Sequence, residues 1–223
     1  MALTDDAIGK IKNMIMSGEL GPGDRLPREA DLAARLGLSR NSLREAVRAL
    51  SMIRVLDVRQ GDGTYVTSLD PGVLLDALSF VVDFHRDDTV LQFLEVRRIL
   101  EPAATALAAE RMSDSDIEKL QALLDELGPG PTVDALVAND LEFHRRIAAG
   151  AGNGVLCSLI EGLSAPTTRA RVWRGLTQED AVSRTREQHQ AIHDALAARR
   201  PDLARSWATI HIAGVEEWLR QAL

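Results

Sequence analysis

The sequence predicts a mostly α protein in two parts: a winged helix-turn-helix, then an antiparallel bundle of six or seven helices. Three observations carry that expectation. Aromatic residues make up only 4% of the 223 positions while Ala, Leu, Arg and Glu are abundant, which favours helices over a mostly-β fold. From Leu26 to Val66, two short helical patterns lead into two extended runs joined by the turn Gln60-Gly61-Asp62-Gly63-Thr64. Beyond Gly72 the chain is nearly all helical periodicity. The stretch Ser68-Leu69-Asp70-Pro71-Gly72, short and turn-forming, separates a first domain over 1–70 from a second over 71–223.

Thr4 is placed to cap a helix over about 5–17, with Asp5 and Asp6 at its favourable end. Ile8, Ile11 and Ile15, with Ala7 and Met14, form its buried stripe. Gly18 ends it, and Gly21-Pro22-Gly23-Asp24 is a turn. Pro27 suits the opening of a second helix, since its missing N–H falls where no bond is made, and Glu29 and Asp31 fit the positive end. Leu32, Ala33 and Leu36 give that helix an apolar face, and Gly37 can take the left-handed conformation that stops it. Ser39 then occupies an N-cap position for a third helix through Leu50. Leu43, Ala46, Val47 and Leu50 point inward, which leaves Arg40, Arg44 and Arg48, each four apart, on one outer face. A ribbon follows, Val55 to Arg59 and Thr64 to Thr67. Its glycines permit a tight loop, and the lack of a following Gly-Lys-Ser/Thr excludes a phosphate-binding P-loop.

A helix braced by a partner and lined outside with arginines has the build needed to enter a major groove of DNA. Arg40 and Arg44, nearest the helix start, are the groove candidates, while Arg48 either contacts phosphate or pairs with Glu45. Ser39, Asn41 and Ser42 can bond to phosphate or base edges. Gly61 and Gly63 serve the hairpin turn and could approach a DNA backbone. The plainer alternative is a solvated arginine face. Net charge is −7, yet it is unevenly divided: residues 1–70 carry 10 basic and 10 acidic side chains, against 16 and 23 in 71–223. Within 25–59 there are 8 Arg and 4 acids. Local charge governs docking on phosphates more than the total.

This first part resembles the GntR family of bacterial transcription regulators. The resemblance is carried by Gly18-Glu19-Leu20-Gly21-Pro22-Gly23-Asp24-Arg25-Leu26-Pro27, Leu32-Ala33-Ala34-Arg35-Leu36-Gly37-Leu38-Ser39-Arg40, Leu43-Arg44-Glu45-Ala46 and Gly61-Asp62-Gly63-Thr64-Tyr65-Val66. It implies that Arg40 and Arg44 contact operator DNA and that the ribbon tip near Gly61 to Gly63 reaches the minor groove. The sequence departs from the family twice. Ala30 stands where an arginine is usual, with Arg28 close enough to compensate, and Arg54 replaces the glycine after the third helix.

The second part reads as helices over about 73–84, 89–111, 113–127, 132–149, 153–174, 179–198 and 202–222. Pro102 allows a kink or a new start within the second of these. On them lies a polar constellation. Asp140 and His144 are four apart on one helix face, His189 and His193 repeat the spacing, and His211 sits on the last helix. One carboxylate and two or three imidazoles could hold zinc, with nickel or manganese as alternatives; the other reading is surface or hydrogen-bonded histidines. His85 and His193 have no unique partner in that pattern. Arg97 can bind a carboxylate in a bidentate way or form a buried pair with Glu101 or Glu95. Thr167, Thr168, Arg171 and Trp173 offer further polar groups that sequence cannot aim.

This part resembles the ligand-binding domain of the FadR subfamily, called FCD, through Phe93-Leu94-Glu95-Val96-Arg97-Arg98-Ile99-Leu100-Glu101-Pro102-Ala103, Asn139-Asp140-Leu141-Glu142-Phe143-His144, Glu187-Gln188-His189-Gln190-Ala191-Ile192 and His211. The resemblance implies that Asp140, His144, His189 and His211 ligate a divalent metal and that a small carboxylate binds beside it. The expected function is a ligand-responsive transcriptional repressor, a homodimer on palindromic double-stranded operator DNA, released by its effector. A metal-dependent hydrolase and a constitutive DNA binder with structural histidines are the alternatives. No run of about 18 uncharged apolar residues predicts a membrane span, the N-terminal residues do not read as a secretory signal, and the lone Cys157 excludes an internal disulfide. The expected setting is cytoplasmic.

Overall fold

The computed structural model describes residues 3–69, 88–128, 130–178 and 180–223. The chain divides into two compact units, Met1–Leu74 and Leu75–Leu223. The helix expected over 73–84 lies outside the described residues.

In the first unit, α1 (Leu3–Met16), α2 (Glu29–Leu36) and α3 (Arg40–Met52) precede β1 (Leu56–Arg59) and β2 (Gly63–Val66). Ala7, Ile11 and Met14 of α1 are buried with Leu32 and Ala33 of α2, Leu43, Ala46 and Leu50 of α3, and Leu56 and Val66 of the ribbon. Ile8, Ile15 and Val47, expected inside, pack at the margin of that core. Gly37 does stop α2, at φ 64°, and the amide of Leu38 bonds back to the Ala33 carbonyl. Ser39 caps α3, its hydroxyl accepting from the Ser42 amide at 3.0 Å.

Pro27 does not open α2. The helix begins two residues later, after Arg28, because the segment before it is drawn into the ribbon. Leu26 donates to the Thr64 carbonyl at 2.8 Å and Val66 to the Asp24 carbonyl at 2.8 Å, so residues 24–26 stay extended alongside β2. β1 and β2 pair antiparallel from Leu56↔Val66 to Arg59↔Gly63, one residue shorter at each outer end than expected. Arg54, where a glycine was expected from the resemblance, adopts a left-handed φ of 55° between α3 and β1. The Thr67 hydroxyl holds its carbonyl at 2.7 Å.

The described part of the second unit is a bundle of six helices: α4 (Asp88–Arg111), α5 (Asp114–Asp125), α6 (Val133–Gly150), α7 (Gly154–Thr177), α8 (Ala181–Ala197) and α9 (Pro201–Ala222). The central α4 packs most extensively on α9 and also touches α6, α7 and α8. Its second half is rich in buried alanine, Ala104, Ala106, Ala108 and Ala109, so neighbours come close on several sides. Pro102 lies inside α4 without ending it. The main cores gather Ile117, Leu120 and Leu123 of α5 around Phe143, Ile147, Ile192 and Leu196. Caps fix where the bundle helices start: Ser113 accepts from the Asp116 amide, Thr132 from Ala135 and Asn153 from Leu156. Arg199, after α8 at φ 53°, donates to the Met112 carbonyl and secures the end of α4.

Candidate nucleic-acid interface and metal centre

The sequence of α3 sorts its side chains by face. Leu43, Ala46 and Leu50 anchor it, and Arg40, Asn41, Arg44 and Arg48 are left exposed. Arg40 and, just before α2, Arg28 are exposed with no ion pair among the described residues. Arg44 Nε lies 2.9 Å from Glu29, and Arg48 pairs with Glu45 at 2.8 Å. Exposed pairs of this kind contribute about 0–1 kcal/mol, so phosphate can displace the carboxylate at small cost. Ser39 is exposed, but Ser42 is turned inward, 9% exposed, with its hydroxyl 2.8 Å from that of Ser39. Ser42 thus belongs to the cap and not to the outer face, a correction to its expected place among the contact residues.

The ribbon tip is held by charge. Arg25 donates to the Asp62 carbonyl, Tyr65 donates to the Asp62 carboxylate at 2.9 Å, and Arg59 stacks 4.2 Å from the Tyr65 ring centroid. Gly61 takes φ 77°, which favours glycine. Gly63 lies close to Arg25: a Cβ there would be 2.5 Å from Arg25 Nε, so a larger residue would push that flexible side chain aside.

In the second unit, Asp140 and His144 stand one turn apart on α6, His189 on α8 and His211 on α9. All four are buried, and one ligand atom from each lies within 4.8 Å of the others. Three imidazole Nε2 atoms surround Asp140 Oδ1, at 3.5 Å from His144, 3.3 Å from His189 and 3.6 Å from His211. The Nε2 atoms of His144 and His211 are 3.2 Å apart. An ion with bonds of about 2.0–2.1 Å holds tetrahedral donors roughly 3.3–3.4 Å apart, close to these four separations, and the wider 4.8 Å span of the set leaves room for added ligands. His189 Nε2 is buried without a hydrogen-bond partner, although Asp140 is near, as befits a lone pair aimed at a cation. Groups behind the donors fix the rings: His144 Nδ1 lies 2.9 Å from Glu101, His211 Nδ1 3.0 Å from Gln188 Oε1, and Phe143 stacks on His189.

Electrostatics prepare these groups for coordination. Burial pushes His211 down to about 3 and also lowers His189, against the pull of Asp140. Burial opposes ionisation of Asp140 too, but Arg171 and His144 outweigh it and hold the carboxyl well below its usual range. His144 goes the other way: burial lowers it, and Glu101 and Asp140 more than compensate. The cluster therefore offers one carboxylate, two neutral imidazoles and one imidazole whose proton a cation would displace.

A cavity of about 30 Å³ opens beside Asp140 and His211, lined by Arg97, Arg171, Arg174 and Thr185. Arg97, expected to meet either an effector or a glutamate, is buried against Glu101 and donates to Thr167 at 3.1 Å. Glu95 is exposed and is not its partner. Arg171 Nη1 lies 3.0 Å from Asp140 Oδ2, yet both its terminal nitrogens lack a hydrogen bond. Glu101 was expected only as a partner for Arg97, and its place behind the His144 ring had no sequence signal; neither had Gln188, Arg174 or Thr185, while of the unaimed polar groups Thr167 and Arg171 come to this site. His193 Nε2 donates to the Ile117 carbonyl, 3.2 Å away, and stands apart from the cluster. His85 lies outside the described residues.

An arginine-faced winged helix joined to a helical bundle with a buried His/Asp cluster defines a class: one-component bacterial regulators that read DNA and a small molecule. The comparisons agree. Residues 3–66 match the gntR family of bacterial regulatory proteins, and residues 92–214 match the FCD domain. The chain is 32% identical to the HTH-type transcriptional regulator LutR of Bacillus subtilis (strain 168), over 92% of this chain and 96% of that protein. It is 28% identical to the galactonate operon transcriptional repressor of Escherichia coli (strain K12), over 98% and 97%. A solved structure described as Streptococcus agalactiae GntR superposes with a TM-score of 0.76 at 27% identity, covering 96% of this chain and 99% of that one. The chain belongs to the gntR family, with an FCD domain. It is a ligand-responsive transcription regulator and not an enzyme, which sets the hydrolase alternative aside. Among the described residues, no helix is long and apolar enough to cross a membrane.

Proposed function

We propose that the protein is a cytoplasmic repressor whose hold on operator DNA is released when a small carboxylate binds beside a divalent metal in the helical unit. On this reading residues 1–70 are the DNA-binding domain, and residues 71–223 bind effector and dimerise. The observation that carries it is the convergence of Asp140, His144, His189 and His211 at ion-sized spacing. A donor set of three imidazoles and one carboxylate suits zinc first, then nickel or manganese. When bound, such an ion supplies a fixed positive centre for a carboxylate, and Arg97 and Arg171 orient and neutralise what enters. One relative is named for the galactonate operon, and galactonate is a carboxylate.

In the first unit Arg40 and Arg44 enter the major groove, Ser39, Asn41, Arg28 and Arg48 position the phosphate backbone, and Gly61 and Gly63 let the wing approach it. A homodimer would then read a palindrome. The exposed Val96 and Ile99 on α4, three residues apart and 40% and 62% accessible, offer apolar surface to a second copy. Metal analysis of protein purified without chelator tests the core of this reading. About one ion per chain is expected, falling to trace in His144→Ala; equal metal in both would sink the assignment.

A further inference from the structure

We infer that the effector carries two acidic groups, one directed at the histidine cluster and Arg171 and the other at Arg174. The inference rests on the effector site proposed above and narrows its ligand. Its warrant is a count of buried charge. Arg97, Arg171 and Arg174 all line the cavity and are 2%, 8% and 4% exposed. Only two carboxylates answer them: Glu101 takes Arg97, and Asp140 lies against Arg171. Arg174 meets the amide oxygen of Gln178 at 2.8 Å and has no ion pair among the described residues. Among these five side chains one positive charge is left over, and a divalent ion at the histidine cluster would add two more.

Buried charge is tolerated when it is paired and hydrogen-bonded. A monocarboxylate would leave Arg174 as it stands. A dianion spans the requirement, because it can meet the centre and Arg174 together, and the unsatisfied terminal nitrogens of Arg171 supply donors between them. Size limits the choice. The cavity is narrow beside Asp140 and His211, so a short ligand suits it better than a long one. A short dicarboxylate is the class that meets both demands, and malonate is its smallest common member.

Calorimetry on the zinc-loaded full-length protein tests this with malonate against acetate and lactate, metal content being checked after each titration. Malonate is expected to bind at least tenfold more tightly than either monocarboxylate. In Arg174→Gln that preference should collapse while acetate and lactate affinities hold, and Arg174→Lys should restore much of it. Acetate or lactate binding as tightly as malonate would overturn this inference and leave the effector site standing. An Arg174→Gln protein, still folded and metal-loaded, that keeps its malonate preference would overturn it equally. Inorganic phosphate is the other compact dianion, and its binding more tightly than malonate would replace two carboxylates with one phosphoryl group and defeat the assignment. If no anion binds the loaded protein, the effector site itself is lost.

Discussion

At the scale of single residues, the wing tip shows how one side chain can set a neighbour's identity. A Cβ at Gly63 would displace the Arg25 guanidinium, and with it the clamp that Arg25 places on the Asp62 carbonyl. Gly63→Ala should therefore weaken operator binding by several-fold or more, and Arg25→Ala should weaken it too. The double variant should be no worse than Arg25→Ala alone, because the clash is gone. Additive losses in operator titrations would mean that the two residues act separately. At the cluster, the raised His144 and lowered His189 and His211 set the proton count of metal loading. A group raised in the folded protein keeps its proton to higher pH, so His144 is the ring that loses a proton on loading below its own pKa, whereas the other two rings enter unprotonated. Affinity for the ion should rise with pH by about one log unit per pH unit until His144 titrates, then level off. Calorimetry in buffers of different ionisation enthalpy counts the released protons; three instead of one would contradict the assignment.

Elements were more legible than their partnerships. The order of three helices and a ribbon could be read because some boundaries had a local cause, such as Gly37 in its left-handed turn or the hydroxyl of Ser39 at the head of α3, although α1 starts at Leu3 and takes in Thr4, its expected cap. Pro27 misled because the residues just before it, Asp24 to Leu26, are paired with β2, a contact nearly forty residues away that no local rule contains. Ser42 misled similarly: one hydroxyl among several on a recognition helix turned in to the cap. In the bundle, spacing could suggest Asp140 with His144 because they share α6, and the resemblance supplied His189 and His211. Nothing local aimed Arg174 or brought Gln188 behind His211, since those depend on how α7, α8 and α9 pack. The recognition helix itself yields a direct test. Arg44→Ala removes one exposed cation whose pairing with Glu29 is worth little, so stability should change by less than about 1 kcal/mol. Operator affinity should fall by tenfold or more if Arg44 reads a base, and the salt dependence should flatten by about one unit if it meets a phosphate. Normal affinity with an unchanged slope would remove α3 from the groove.

For the whole molecule, the distribution of charge assigns the labour. The part from residue 71 onward carries the entire net charge of −7, so it repels phosphate and leaves contact with DNA to the neutral first part and its local surplus of arginine. Regulation then has to be a difference in free energy between two states of one chain, and such a coupling is reciprocal. If effector lowers operator affinity by some factor, operator must lower effector affinity by the same factor. Both can be measured on the metal-loaded protein, one by DNA titration with and without effector, the other by effector titration with and without operator. Equal factors are expected, of roughly 5–150-fold for a coupling of typical size. His144→Ala should bring both factors to unity while leaving DNA affinity without effector near its original value, because the first unit retains every contact described for α3. A substitution at His144 that abolished operator binding outright would place the cluster in the structural support of the DNA-binding state. An unaltered coupling in metal-free His144→Ala would remove the cluster from regulation altogether.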